Sequence, residues 1–528
     1  MSQDPRREVI VVPVDGATNC KLEVVCATSG ETLASTSTAT PRREVDGRRY
    51  DDLGREWAWF DAAIADLIDP AHDRVLAIAP VTRGASGGLI NAEGRLSEVP
   101  GADLCLSYEQ RYPEEVNQRF ATLAGDADSF FAETGSVRDA PGSLTLLKRL
   151  VYEESCRPEV LARSVAFGTL GALTAGHFLG DLGRAVATCG NEHGYWMCHS
   201  GARAVHAEPG TPSSLARRLP LFARLVPATP SCAYQAIGRA DATLCQGWGL
   251  DQAPLVLPGG HDTCLSHLPV MAACAAALPD SDQGVIHVDG GTWTMIAWIG
   301  SGGSLDGQGW RHDQVVQGTV DGHPVITARY GGGNDFKALA EAMQQRGRAF
   351  DPSGDEALLA TCCAEAACFV QPNVHPVCRG TGPFPDCQGT IIGEEAFHAD
   401  PRRAVIYANL AAAAAIAAQI TAVAGRAPAP VVLTAGASRN ALLGTMIATL
   451  SQRRVYVLRD ANGDIVSETT THGAACCARA ALDGCHPHAA PLAAATWRLH
   501  PAPAASPDTA RLLTRYHQRW LELAAGSP

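Results

Sequence analysis

The chain has 528 residues, 46% of them apolar and 18% charged. It is too long for one ordinary domain and apolar enough to bury two sizeable cores. A net charge of −13 excludes the basic face that a nucleic-acid binder needs. The opening residues lack the charged–apolar–small order of a secretory leader, because the apolar run after Glu8 already reads as a strand. Eighteen cysteines show no Cys-x-x-Cys pair and no regular framework, which predicts reduced, mostly buried thiols and a cytoplasmic protein. The group Cys362, Cys363, Cys368, Cys378 and Cys387 with His375 follows no standard zinc spacing.

Glu8 to Val25 reads as two β-rich runs joined at Gly16-Ala17-Thr18-Asn19, a tight hairpin. Its tip presents Asp15, backbone N–H groups and Lys21. Glycine there lets backbone approach a ligand, and successive N–H groups suit phosphate. An aspartate beside such a turn suits Mg²⁺, which bridges carboxylate, water and phosphate oxygens. An ordinary polar hairpin tip is the bland alternative. Half a chain later Val14-Asp15-Gly16-x-Thr18 recurs as Val288-Asp289-Gly290-x-Thr292. The recurrence predicts two related halves, each opening on a hairpin whose tip faces a shared cleft.

In chain order, Trp57 to Ile68 has helical periodicity and Val75 to Pro80 reads as a buried strand. That strand runs into Thr82-Arg83-Gly84-Ala85-Ser86, a loop at the strand end where α/β proteins bind ligands. A hairpin turning at Ala92–Gly94 and a strand from Leu104 lead to the corner Tyr108-Glu109-Gln110. Helices are predicted over Ser143–Glu154 and Glu159–Gly168, continuing through Leu170–Leu179. The loop Cys189 to Trp196 has pocket-lining composition. Gly259-Gly260-His261-Asp262 opens a helix, with Asp262 either capping it or facing the cleft. The boundary between halves is set at Pro279–Gln283. Strand Pro324–Tyr330 precedes Gly331-Gly332-Gly333-Asn334 and a helix, while Asp351 to Asp400 resists placement. Ala404 to Ala424 is long enough to span a bilayer, but its alanines, Asn409 and Gln419 favour a buried helix, so no membrane association is expected. Strand Pro430–Thr434, turn Ala435–Asn440 and helix Ala441–Leu450 have the form of a nucleotide-binding turn. Helices over Glu468–Leu482 and Thr509–Leu523 close the chain.

Four loops thus stand in order: VDGATNCK, GGHDT, VDGGTW and TAGASRN. Their order and spacing resemble the FGGY family of carbohydrate kinases, within the sugar kinase/Hsp70/actin superfamily. The first loop, the GTW and the ITARYGGG run look closest to fuculokinase- and rhamnulokinase-like members. The resemblance implies two actin-like, ribonuclease-H-like α/β domains flanking an interdomain cleft, over residues 1–280 and 281–483, with a tail at 484–528. It implies ATP and Mg²⁺ as cofactors and a small sugar as substrate. Asp15 is then the metal residue, and Gly16, Ala17, Thr18, Asn19 and Lys21 hold phosphate. Gly291, Thr292 and Trp293 contact phosphate from the second domain, and Gly436, Ala437, Ser438 and Asn440 bound the adenosine. Arg83, Gly84, Ala85, Tyr108, Glu109 and His261 line the sugar pocket, and Asp262 is the general base.

The chain departs from the family at three of these places. Ala437 stands where many relatives have a second glycine. Asp289 replaces a small neutral residue, to add a metal contact or to repel phosphate. Arg83 replaces a His or Gln, either to bind an acidic group on the sugar or to pair with Glu109 or another acid. The activity implied is ATP-dependent phosphorylation of a hydroxyl on a ketose or polyol. A silent sugar or nucleotide sensor and a phosphohydrolase are the alternatives, and a homodimer is left open.

Overall fold

The computed structural model describes residues 5–186, 214–226, 231–278, 284–300, 308–466, 468–489, 492 and 497–526. The loop Cys189–Trp196 lies outside them. The chain forms two compact units. One comprises Met1–Ala272, Val316–Val325 and Thr469–Ala495, the other Ala273–Val315, Ile326–Glu468 and Thr496–Pro528.

In the first unit the expected hairpin is formed by strands Arg7–Asp15 and Asn19–Cys26, paired antiparallel with Asp15 opposite Cys20. Strand Thr32–Ala39 extends it on one side. On the other side Asp73–Ile78 and then Leu255–Val256 add in parallel. Helix Leu53–Leu67 covers the sheet through Leu53, Trp57, Phe60 and Ile64, spaced for one helix face. Glu56 shares that face and is wholly buried.

The second unit repeats the order. Strands Val285–Gly290, Thr294–Ile299 and Pro324–Tyr330 are antiparallel neighbours, and Val431–Thr434 and Val455–Arg459 add in parallel beside the first. The recurrence of VDGxT is therefore a recurrence of architecture. In both units the tip of the opening hairpin lies at the carboxyl end of the parallel strands, where ligands bind in such sheets. The expected α/β fold class holds, and each unit carries its own core.

One predicted helix is a strand. Beyond Ala162 the chain turns to extended backbone, and Ser164–Thr169 pairs antiparallel with Gly87–Asn91. Gly87 permits the pairing, since a Cβ there would meet the Gly168 carbonyl at 2.6 Å and the Phe167 ring at 2.7 Å. Helix Leu170–Leu179 then starts afresh, capped by Thr169. The alanine-rich segment forms helix Pro401–Ala424, capped by Asp400. By length and hydropathy it passes for a membrane span, yet 83% of its apolar window is buried in the fold.

The stretch that resisted placement contains helix Glu356–Glu365 and a short pair of strands, and its cysteines enter the core as free thiols. The final helix, Pro507–Ala525, seals that core. Its Trp520 is 1% exposed and donates from Nε1 to the Val370 carbonyl at 2.7 Å. Tyr516 donates to the Cys368 carbonyl at 2.6 Å and stacks on Phe369. Trp520→Ala removes both the ring volume and a donor to a buried carbonyl, a loss of about 3–5 kcal/mol. A clearly lowered melting temperature is the expected result. An unchanged one would show the tail to be dispensable to the fold.

Candidate active site

The tip of the first hairpin is tied from behind through its carbonyls. Gly16 O accepts from Thr40 Oγ1 at 2.8 Å and from Arg83 at 3.2 Å. Ala17 O accepts from Arg42 at 2.7 Å, and Thr18 O from the Thr40 N–H at 3.0 Å. Gly16 is required by closeness, because a Cβ would lie 2.7 Å from Asn19 O. Thr18 and Asn19 are exposed. Lys21 is half-buried and pairs with Glu23 at 2.5 Å.

Beneath the tip lies a buried charge cluster. Asp15 is 1% exposed and is ion-paired through Oδ1 with Arg83, itself 4% exposed. Arg83 Nη2 reaches Asp51 Oδ2 at 2.7 Å, and Arg42 approaches the other Asp51 oxygen at 3.5 Å. Glu56 lies beside Asp15, with oxygens of the two within 4.8 Å. Two buried carboxyls this close disfavour a second charge, so one of them carries a proton. Burial first, and then the Asp15 charge, push the Glu56 carboxyl well above the usual range and keep the proton there. Burial also raises Asp15, opposed by Arg83. Desolvation and both acids hold the Cys20 thiol protonated.

Donor atoms of Asp15, Cys20 and Glu56 lie within 4.8 Å of one another. Carboxylate oxygens suit Mg²⁺ and a protonated thiol does not. With Oδ1 engaged by Arg83, Oδ2 of Asp15 is the oxygen left for a metal ion or a water of its shell, since it has no hydrogen-bond partner among the described residues. The residues present therefore fit a magnesium ion at Asp15.

Arg83 was weighed between a sugar contact and an acid partner. Its guanidinium takes acids, namely Asp15 and Asp51 rather than Glu109. Glu109 instead pairs with Arg49 at 2.6 Å and with Arg42 at 3.3 Å. Gly84 is half-buried, Ala85 is buried with φ near 60°, and Tyr108 is buried.

Asp262 begins helix Asp262–Ala277. Short strand Gly260–His261 pairs with Val81–Thr82, which in turn pairs with Val14–Asp15. The two aspartate loops thus leave the same edge of one sheet. Gly259 has φ of +81° and abuts Gly171, where a Cβ would sit 2.7 Å from the carbonyl. Asp262 Oδ1 accepts from the Thr263 N–H at 2.6 Å and Oγ1 at 3.2 Å, and lies 3.2 Å from His261 Nε2. Burial lowers the His261 pKa, so the ring is neutral. The Asp262 side chain is 40% exposed. A capping side chain would reach the N–H two or three residues on, whereas Asp262 bonds its immediate neighbour and presents Oδ2 outward.

In the second unit, Gly291 is exposed and Thr292 and Trp293 are half-buried. Gly333 backs this tip, since a Cβ would lie 2.4 Å from Gly291 O, and the Asn334 N–H donates to Thr292 O at 3.2 Å. The turn Ala435–Ser438 lies against Gly290. Ala437 points its methyl at that glycine, where a Cβ on Gly290 would come within 2.4 Å, so the departure at Ala437 faces inward. Gly436 is exposed, and Ser438 is buried with its hydroxyl on Ala435 O. Asn440 caps the following helix through Leu443 N and bonds Asn409. Asp289 accepts from Thr434 Oγ1 at 3.3 Å, and Thr434 Oγ1 also lies 2.8 Å from His287 Nε2.

Within the first unit the structure brings Asp15, the first loop, Arg83 and Asp262 to one sheet edge. Within the second it brings together Gly291–Trp293 and Gly436–Ser438. Sequence reasoning missed Asp51, Glu56, Thr40 and Arg42. Glu56 left a signal, an acid one residue before the predicted helix Trp57–Ile68 and in line with its apolar positions Phe60 and Ile64.

The fold is shared with solved structures of carbohydrate kinases. A carbohydrate kinase from Novosphingobium aromaticivorans superposes with a TM-score of 0.71 at 21% identity, over 99% of each chain. A xylulose kinase from Lactobacillus acidophilus gives 0.76 at 15% identity, covering 98% of this chain and 99% of that one. A gluconate kinase from the same organism gives 0.75 at 14% over 99% of each. The search of curated proteins found no match. Residues 283–485 match the family described as carbohydrate kinase FGGY, C-terminal domain. That segment of the chain is thus similar to the C-terminal domain of the FGGY carbohydrate kinases.

The buried cluster gives a direct test of Arg83. Arg83→Ala would leave Asp15 and Asp51 without their buried counter-charge, at a cost of about 3–5 kcal/mol. A strong fall in melting temperature is expected, larger than for the half-exposed Arg42→Ala. A stable Arg83→Ala protein with only a raised sugar KM would instead make Arg83 a sugar contact.

Proposed function

We propose that the protein transfers the γ-phosphoryl group of ATP to a hydroxyl of a small ketose or polyol in carbohydrate catabolism. The observation that carries this reading is Asp262, a carboxylate fixed through one oxygen and open at the other, at the same sheet edge as the Asp15 loop. Asp262 Oδ2 accepts the proton of the attacking hydroxyl as that oxygen bonds to phosphorus. The His261 and Thr263 contacts hold the carboxylate in place, and neutral His261 adds no competing charge. The tip Gly16–Asn19, with Lys21, positions the β- and γ-phosphates in the first unit, and Gly291–Trp293 is the phosphate-contacting tip of the second. Gly436–Ser438 bounds the adenosine, with Asn440 holding the turn that carries it. A magnesium ion held through Asp15 would supply neutralisation of phosphate charge.

The choice of a ketose or polyol is supported by similar folds in kinases described for xylulose and glycerol. Within that range a 6-deoxy-ketohexose or pentulose fits the fuculokinase- and rhamnulokinase-like character of the first loop. The free thiols among the described cysteines support a reducing, cytoplasmic setting.

Asp262→Asn keeps the shape and the Oδ1 contacts while removing the base. Sugar-dependent ADP formation should fall by about 10²–10⁴-fold, with ATP affinity and melting temperature near wild type. Wild-type turnover in a folded Asp262→Asn protein would contradict the assignment.

A further inference from the structure

Apart from the loops above, the first unit contains a cavity of about 260 Å³. Its walls are the turn from Asn91 to Leu96, the turn from Pro100 to Asp103, and Arg163. The size is below the range of drug-sized sites, about 300–1,000 Å³, and suits a small metabolite.

The polar groups lining it are mostly donors. Arg163 is anchored to the wall, with Nε on the Ser97 carbonyl at 2.8 Å and Nη2 at 3.5 Å from the Glu98 carbonyl. Both partners are neutral, and among the described residues Arg163 has no carboxylate partner and its Nη1 no hydrogen bond. Asn91 Oδ1 takes the N–H groups of Glu93 and Arg95. This turns the acceptor of that amide into the loop and leaves its NH₂ for the cavity. The Arg95 guanidinium has no partner among the described residues. The one acid in the lining is Asp103. The chain carries net charge −13, and many of its arginines have found carboxylates, Arg149 and Arg157 of this same unit among them. Two guanidinium groups sharing one concavity, neither matched by a carboxylate, are complementary to an anion.

We propose that this cavity is a second small-molecule site that binds a phosphate- or carboxylate-bearing metabolite. Arg95 and Arg163 hold the anionic group with Asn91, and Asp103 accepts a hydroxyl of the same molecule. The site is tied to the rest of the unit through Glu98. That carboxylate accepts the Leu106 N–H at 2.8 Å and the Leu89 N–H at 3.3 Å and pairs with Arg149 at 2.7 Å. Strand Leu104–Leu106 runs on to the Tyr108–Glu109 corner, so the cavity backs the segment that leads there. The assignment stands on the cavity alone and does not depend on the chemistry at Asp262.

Isothermal titration of the full chain, with Mg²⁺ and ADP present to fill the nucleotide site, tests the proposal. Inorganic phosphate and malonate are the two probes, and whichever binds more tightly identifies the class of anion. Saturable binding of at least one is expected, weakened at least 10-fold in Arg95→Glu and retained in Arg95→Lys. Melting temperature without anion and sugar-dependent turnover should be unchanged in both variants, since the Arg95 guanidinium makes no hydrogen bond or ion pair among the described residues. Absence of saturable binding by either probe would overturn the proposal. So would equal affinity in wild type and Arg95→Glu, which would place the anion elsewhere.

Discussion

The ion pair between Arg83 and Asp15 is the contact on which the loop cluster of the first unit depends. Both side chains are removed from water, and a buried carboxylate survives there only with a counter-charge at hand. Arg83 supplies it, takes Asp51 with its other nitrogen, and reaches the Gly16 carbonyl as well. One guanidinium thus sets the aspartate and the loop that follows it. Glu56 completes the balance by staying protonated, and Arg42 closes the rim. Two guanidinium groups, two carboxylates and one neutral carboxyl leave the cluster near neutrality, with one Asp15 oxygen facing no cation.

The loops of the second unit are held by different means. Its tip rests on backbone packed closely against backbone, at Gly290 against Ala437 and at Gly333 against Gly291. Steric fit replaces ion pairing there, and Asp289 is drawn into hydrogen bonding with Thr434. The repeated VDGxT pattern therefore conserves the hairpin and its place on the sheet, while each unit stabilises its tip with its own residues.

Much of this was legible in the sequence because it follows from local pattern. Alternation marked the hairpins, helical periodicity marked Trp57–Ile68, and the strand–turn–helix order marked Ala441–Leu450. Glycine-rich turns at strand ends marked all four loops. What escaped depended on partners distant along the chain. Ser164–Thr169 is a strand because Gly87–Asn91 pairs with it, and no window of a dozen residues contains both. Arg83 read equally well as a ligand or as an ion-pair member until Asp15 and Asp51 were placed beside it. The buried role of the cysteines between Cys362 and Cys387 was anticipated, but the closing of that core by Trp520, some 150 residues later, was not.

The central claim is that two hairpin loops and one aspartate serve phosphoryl transfer to a sugar hydroxyl. The most direct measurement is ³¹P NMR of the protein with Mg²⁺, ATP and a panel of ketoses, polyols and sugar acids. The account predicts that one member drives ADP formation with an equal amount of a new phosphomonoester signal. Release of inorganic phosphate in place of that signal, at a rate indifferent to the sugar, would contradict it.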